Sequence, residues 1–130
     1  SMHQCGVVHR NLKPESILLK SSEENSELLV SDFRAARILP SSGHAVLTQF
    51  DFRGTHPYIA PEILDFEQDN VKHGKPADMW SAGCILYLLL GGYLPFSEDG
   101  TNAMVDNAHL GKLYFHDDSW KNVSPEAKDL

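Results

Sequence analysis

Short apolar runs punctuate the first third of the chain, and one long apolar run fills its middle. Val7-Val8, Ile17-Leu18-Leu19 and Leu28-Leu29-Val30 are too short for helices and are bounded by Gly or polar residues, which predicts strands. The second and third flank the polar stretch Lys20 to Ser26 and read as a β-hairpin. Gly6 interrupts the segment before Val7, so Met2 to Cys5 reads as the end of a helix. From Asp78 to Leu90 the residues are apolar nearly all round and run into Gly91-Gly92. That pattern predicts a helix buried on most sides, with a stop at the glycines. Weaker helical stretches follow Pro61 to about Asp65 and span about Thr101 to Leu110, and Ser124-Pro125 reads as an N-cap and first helical residue. Pro40 to Phe52, with Ser41, Ser42, Gly43 and Thr48, reads as a mobile loop, and Lys72 to Pro76 as a second polar break. The expected class is α+β, mainly helical.

Composition narrows the class only a little. At 130 residues the chain is one domain or part of one, and 42% hydrophobic with 22% charged residues is ordinary for a packed globular protein. A formal net charge of -7 argues against nucleic acid or an anionic membrane surface as partner. The run from Cys84 to Leu90 is far below the ~20 residues of a membrane-spanning helix. Cys5 and Cys84 form no CxxC pair and read as buried thiols in a reducing compartment. No two of the seven histidines have the HxxxH spacing of a helical zinc site. No signal-peptide pattern opens these residues, and the expected setting is cytoplasmic or nuclear.

Chemistry concentrates between Val8 and Ile17. His9, Arg10, Asn11, Lys13 and Glu15 lie in a polar loop held between two apolar strands, an arrangement that presents side chains from a rigid frame. The stretch resembles the His-Arg-Asp-Leu-x-x-x-x-Asn catalytic loop of protein kinases, with Asn11 at the Asp position and Ser16 at the Asn position. Lys13-Pro14-Glu15 is similar to the serine/threonine branch. Asp32-Phe33-Arg34, just past the hairpin, resembles Asp-Phe-Gly with Arg34 in place of Gly. Gly54-Thr55-His56-Pro57-Tyr58-Ile59-Ala60-Pro61-Glu62 resembles the close of a kinase activation segment. Asp78, Trp80 and Gly83 match an Asp-x-Trp-x-x-Gly pattern on the central helix of the large lobe. The chain looks most like the calcium/calmodulin-dependent serine/threonine kinase group, including its checkpoint-kinase relatives.

The resemblance implies a large-lobe (C-terminal lobe) fragment over residues 1–130, in which a short hairpin carries the catalytic loop and the small lobe is absent. No GxGxxG sequence occurs in it. It further implies ATP and Mg²⁺ as cofactors, with Asp32 and Ser16 at the metal-holding positions and Lys13 beside the phosphates. Asn11 falls at the position of the base. Arg10, Arg34, Thr48, Thr55 and Glu62 belong to the activation-segment set, with Thr48 or Ser42 as candidate phosphorylation sites read by Arg10. His9 and Phe33 are expected to pack together, and Asp78 to support the loop backbone.

The substitutions change the chemistry more than the frame. A neutral amide at Asn11 takes up no proton near neutrality, and a general base contributes about 10²–10⁴-fold, roughly 3–5 kcal/mol. Ser16 reaches less far toward a hard cation than an amide carbonyl. Arg34 adds a fixed charge and is expected to pair bidentately with Asp32, taking the place of the metal. The implied function is therefore a pseudokinase with a regulatory or binding role; the alternative is a divergent, active serine/threonine kinase phosphorylating protein hydroxyls. A protein partner or protein substrate is expected on either reading. Binding of ATP is expected to be weak, and the fragment to self-associate through apolar surface around the central helix.

Overall fold

The computed structural model describes residues 1–39, 45–46, 56–64, 72–96, 106–108 and 110–129. Among these residues lie six short strands in three antiparallel pairs, one long helix and several short helical turns. The chain opens on successive turns through residues 2–6 rather than a regular helix. Gly6, at φ 74°, then swings the backbone into β1 (Val7–Val8). The candidate loop leaves β1, passes a 3-10 turn at Pro14–Ser16, and enters β2 (Ile17–Leu19).

β2 pairs with β3 (Leu28–Val30) in the register Ile17↔Val30, Leu18↔Leu29 and Leu19↔Leu28, which is the predicted hairpin. β1 does not join it. Val7 and Val8 pair instead with Ile38 and Arg37 of β4 (Arg37–Ile38), a strand the apolar pattern does not reveal. The loop is therefore held between two separate ladders, with the Asp32 segment running from β3 to β4. Within the stretch expected to be a loop, β5 (Ala45–Val46) pairs with β6 (Lys72–His73). The rest of that loop, including Ser42 and Thr48, lies outside the described residues, as does Thr55.

α1 (Pro61–Leu64) begins on a proline, which needs no N–H in a first turn. The long helix α2 (Lys75–Gly91) starts three residues earlier than the apolar run suggests, because Pro76 is tolerated in the first turn after the Gly74 cap. Gly92 closes it in the left-handed region, its N–H donating to the Leu88 carbonyl at 2.8 Å. The helix is less enclosed than its composition predicts. Ala77, Asp78, Ser81, Cys84, Ile85, Tyr87 and Gly91 are buried, but Met79 and Leu89 are exposed. Of the weak helix expected over 101–110, residues 106–108 are helical and 101–105 and 109 lie outside the described residues.

α3 (Asp117–Trp120) and α4 (Pro125–Asp129) end the described chain. The Ser124 hydroxyl accepts from the Ala127 N–H at 3.2 Å, the N-cap bond its sequence position implies. The core gathers around α2. Ile59, Cys84, Phe96 and Ala108 are buried together with Tyr58, Ile63 and Trp80 packed on them, and the Trp80 and Phe96 rings stack at 5.2 Å. Both cysteines are free, but only Cys84 is buried; Cys5 is exposed, against the expectation for a buried pair. Burial pushes the Cys84 thiol up to about 12. Among the described residues no helix is long and apolar enough to cross a membrane.

Candidate functional site

Asp78 organises the loop from below. Its carboxylate is 1% exposed, with Oδ2 accepting the His9 backbone N–H at 2.8 Å and Oδ1 accepting the Arg10 N–H at 2.8 Å. The His3 ring donates to Oδ2 at 2.8 Å from the other side. Two consecutive backbone amides pointing at one carboxylate require an unusual turn, and Arg10 takes it at φ 71°. A left-handed non-glycine residue costs of order 1–3 kcal/mol unless its surroundings impose it. Charge-assisted bonds to a buried carboxylate are strong enough to do so. The contact of His3 with Asp78, 75 positions apart, has no signature in the sequence.

Above the clamp, His9 joins the loop to the Asp32 segment. It is fully buried, and its Nδ1 accepts the Asn11 N–H at 3.3 Å. That acceptor role places the ring proton on Nε2, which donates to the Ser31 carbonyl at 2.8 Å. The imidazole meets the Phe33 ring edge-on at 5.1 Å, the packing expected for this pair. Ser31 N–H donates to the Ser16 carbonyl at 2.8 Å, so loop and Asp32 segment are tied at two points. The Arg10 guanidinium reaches the Ala35 carbonyl at 3.3 Å and adds a third.

Asp32 sits at the cap of a 3-10 turn (Phe33–Ala35), itself left-handed at φ 62° and ψ 57°. Its two oxygens are forked by Arg34, with Nε–H to Oδ1 at 2.5 Å and Nη2–H to Oδ2 at 2.8 Å. The Arg34 hydrogen bonds hold the Asp32 carboxyl at about 2, below its ordinary 3.8, against an opposing desolvation; the Lys13 charge adds a smaller pull. Arg34 itself is 88% exposed, so water screens the pair on its outer side.

Ser16 points the other way. It is fully buried, and its hydroxyl donates to the Lys13 carbonyl at 2.7 Å while accepting the Lys13 N–H at 3.0 Å. The hydroxyl thus closes the 3-10 turn on itself. Mg²⁺ requires hard oxygen ligands in near-octahedral order and gives up water reluctantly. Of the two side chains that the resemblance assigns to a metal, one is forked by a guanidinium and the other is turned into the backbone. As arranged, they do not fit the ion. Among the described residues no group of three His, Cys, Asp or Glu side chains is placed to hold a metal.

The remaining candidates are spread over the scaffold. Glu62 is exposed on α1. Trp80 belongs to the core, and Gly83 is exposed, with open space where a Cβ would stand. Ser81, absent from the sequence candidates, donates to the Tyr58 carbonyl at 2.7 Å and ties the end of the activation-like segment to α2.

Loop, clamp and Asp-Phe segment together define a protein-kinase fold. The Protein kinase domain family model matches residues 1–130, and the chain belongs to that family. It is similar to the calcium/calmodulin-dependent protein kinase cmkA of Emericella nidulans, at 39% identity over 99% of this chain and 30% of that protein. It is also similar to the calcium/calmodulin-dependent protein kinase type I of Schizosaccharomyces pombe, at 37% identity over 99% of this chain and 37% of that protein. These matches place it in the calcium/calmodulin-dependent kinase group. The chain spans about a third of the length of these curated relatives.

Proposed function

We propose that the chain is the large-lobe part of a pseudokinase, a kinase-like domain that binds or regulates a protein rather than phosphorylating one. The observation carrying this reading is the Arg34 fork, which engages both oxygens of Asp32. Asn11 at the base position and the inward Ser16 hydroxyl point the same way. ATP and Mg²⁺ are the cofactors of the family in general, and this chain binds Mg-ATP weakly. Its partner is a protein, met in the cytoplasm or nucleus, and exposed apolar side chains favour association between copies.

Radiometric phosphotransfer to a generic protein substrate, with the parent protein and Mg-ATP, tests the reading. Incorporation at background is the expected result. Incorporation that Asp32→Asn abolishes would overturn it in favour of a divergent serine/threonine kinase using Lys13 and Asp32. One feature favours that second reading: the frame around the loop is intact, with Asp78 clamping His9 and Arg10 as a working loop requires.

A further inference from the structure

We infer that Arg34 is a built-in counter-cation that keeps divalent metal off the Asp32 carboxylate. Three observations converge. Both Asp32 oxygens accept from one guanidinium in the planar, two-bond geometry that suits a carboxylate best. Asp32 caps the Phe33–Ala35 turn and Arg34 lies within it, two positions on, so the fork closes without ordering a distant segment. The Ser16 hydroxyl, the other oxygen a metal would recruit, has both its donor and an acceptor role used by Lys13 within a buried turn. A divalent ion approaching Asp32 must displace the fork, and the Ser16 hydroxyl, already engaged on both sides by Lys13, is not offered to it in return. The guanidinium holds a single positive charge that no change of pH near neutrality removes. The counter-charge on Asp32 is therefore present at every pH near neutrality.

The inference rests on the reading of the cleft as a non-transferring site, but it fails separately from it. Binding of Mn²⁺ to the full 130-residue chain, followed by paramagnetic enhancement of water relaxation and competed with Mg²⁺, reads it without any activity. The wild-type chain is expected to bind no Mn²⁺ that depends on Asp32. Arg34→Gly and Arg34→Gln are each expected to raise Mn²⁺ affinity by about tenfold or more, the scale on which groups around a metal alter its affinity. Adding Asp32→Asn to either variant is expected to abolish the gain. Arg34→Gln keeps the side-chain length, so it decides the outcome if circular dichroism finds Arg34→Gly unfolded. Wild-type binding lost in Asp32→Asn overturns the inference. So does an absence of gain in folded Arg34 variants, or a gain that survives Asp32→Asn. Phosphotransfer by the parent protein without Asp32-dependent Mn²⁺ binding sinks the functional reading alone.

Discussion

At the scale of single residues, Asp78 and Asp32 are two carboxylates put to opposite uses. Asp78 is buried and accepts two loop amides and a His3 N–H, so its removal orphans donors around a strained backbone. Asp78→Ala is expected to cost about 3 kcal/mol, read as a lowered denaturant midpoint, because unpaired buried donors lose their full desolvation compensation. Asp78→Asn is expected to cost less than Ala but more than a surface change, since its amide turns an N–H toward a backbone N–H. Asp32 lies at the surface, and its use is electrostatic. Its carboxyl is lowered in the folded chain from 3.8 to about 2 by the Arg34 hydrogen bonds. A lowered carboxylate stabilises above its unfolded value and loses that contribution as pH falls toward its folded one. The contribution is therefore complete above about pH 4 and disappears between about pH 4 and 2. A carboxyl carbon titration by NMR is expected to find the Asp32 midpoint near the lower value, and Arg34→Gln to return it to the ordinary carboxylate range. A midpoint unmoved by that substitution would show the fork absent in solution.

At the scale of elements, α2 carries two glycines with opposite requirements. A Cβ on Gly91 would stand 2.7–2.8 Å from the Trp120 indole, whose Nε1–H donates to the Tyr93 hydroxyl at 2.8 Å. Tyr93 in turn donates to the Tyr114 carbonyl at 2.9 Å and accepts the His116 N–H at 3.0 Å, and the Tyr87 hydroxyl donates to the same carbonyl. Overpacking there moves a ring and a hydrogen-bond hub together. Gly91→Ala is expected to destabilise by about 1–3 kcal/mol and to shift tryptophan emission. Gly83 meets nothing within 4 Å, so Gly83→Ala is expected to stabilise by up to ~1 kcal/mol through helix propensity. Denaturation of the two variants side by side checks both signs.

The same elements show how far the chain could be read. The hairpin, α2, the Ser124 cap and the pairing of Arg34 with Asp32 follow from periodicity, cap chemistry and charge at short spacing. β4 and the β5–β6 pair escape because Arg37, Lys72 and His73 leave no apolar run of the kind that marks Val7-Val8, and their partners are distant in sequence. Ser16 was legible as a position but not as a direction, since whether a hydroxyl faces outward or closes its own turn depends on backbone geometry. The Tyr93–Trp120 hub joins residues 27 positions apart and becomes visible only once α3 packs on α2.

For the whole molecule, the unresolved balance is between enclosed and exposed apolar surface. Ile59, Phe96 and Ala108 are buried with Cys84 of α2, yet Met79 and Leu89 on the same helix are open to solvent. The hairpin exposes apolar side chains as well. Ile17, Leu19, Leu28 and Val30 share one face by register, and Leu19 and Leu28, directly opposite each other, are each 64% exposed. On the reverse face Leu18 and Leu29 are also exposed. Paired leucines on a two-stranded ribbon form a contiguous patch rather than scattered contacts, and a ribbon of two strands leaves edges with unpaired amides. Both features favour burial against a like surface. Sedimentation velocity at micromolar concentration is therefore expected to find dimers or larger species. Leu19→Lys with Leu28→Lys places like charges directly across the ladder and on the patch, at a cost to the hairpin of only about 1 kcal/mol. That double variant is expected to sediment as a monomer while retaining the circular dichroism of the parent chain. A wild-type chain that is already a monodisperse monomer would refute the hairpin as an associating surface. A double variant that stays associated would move the contact to the Met79 and Leu89 side of α2.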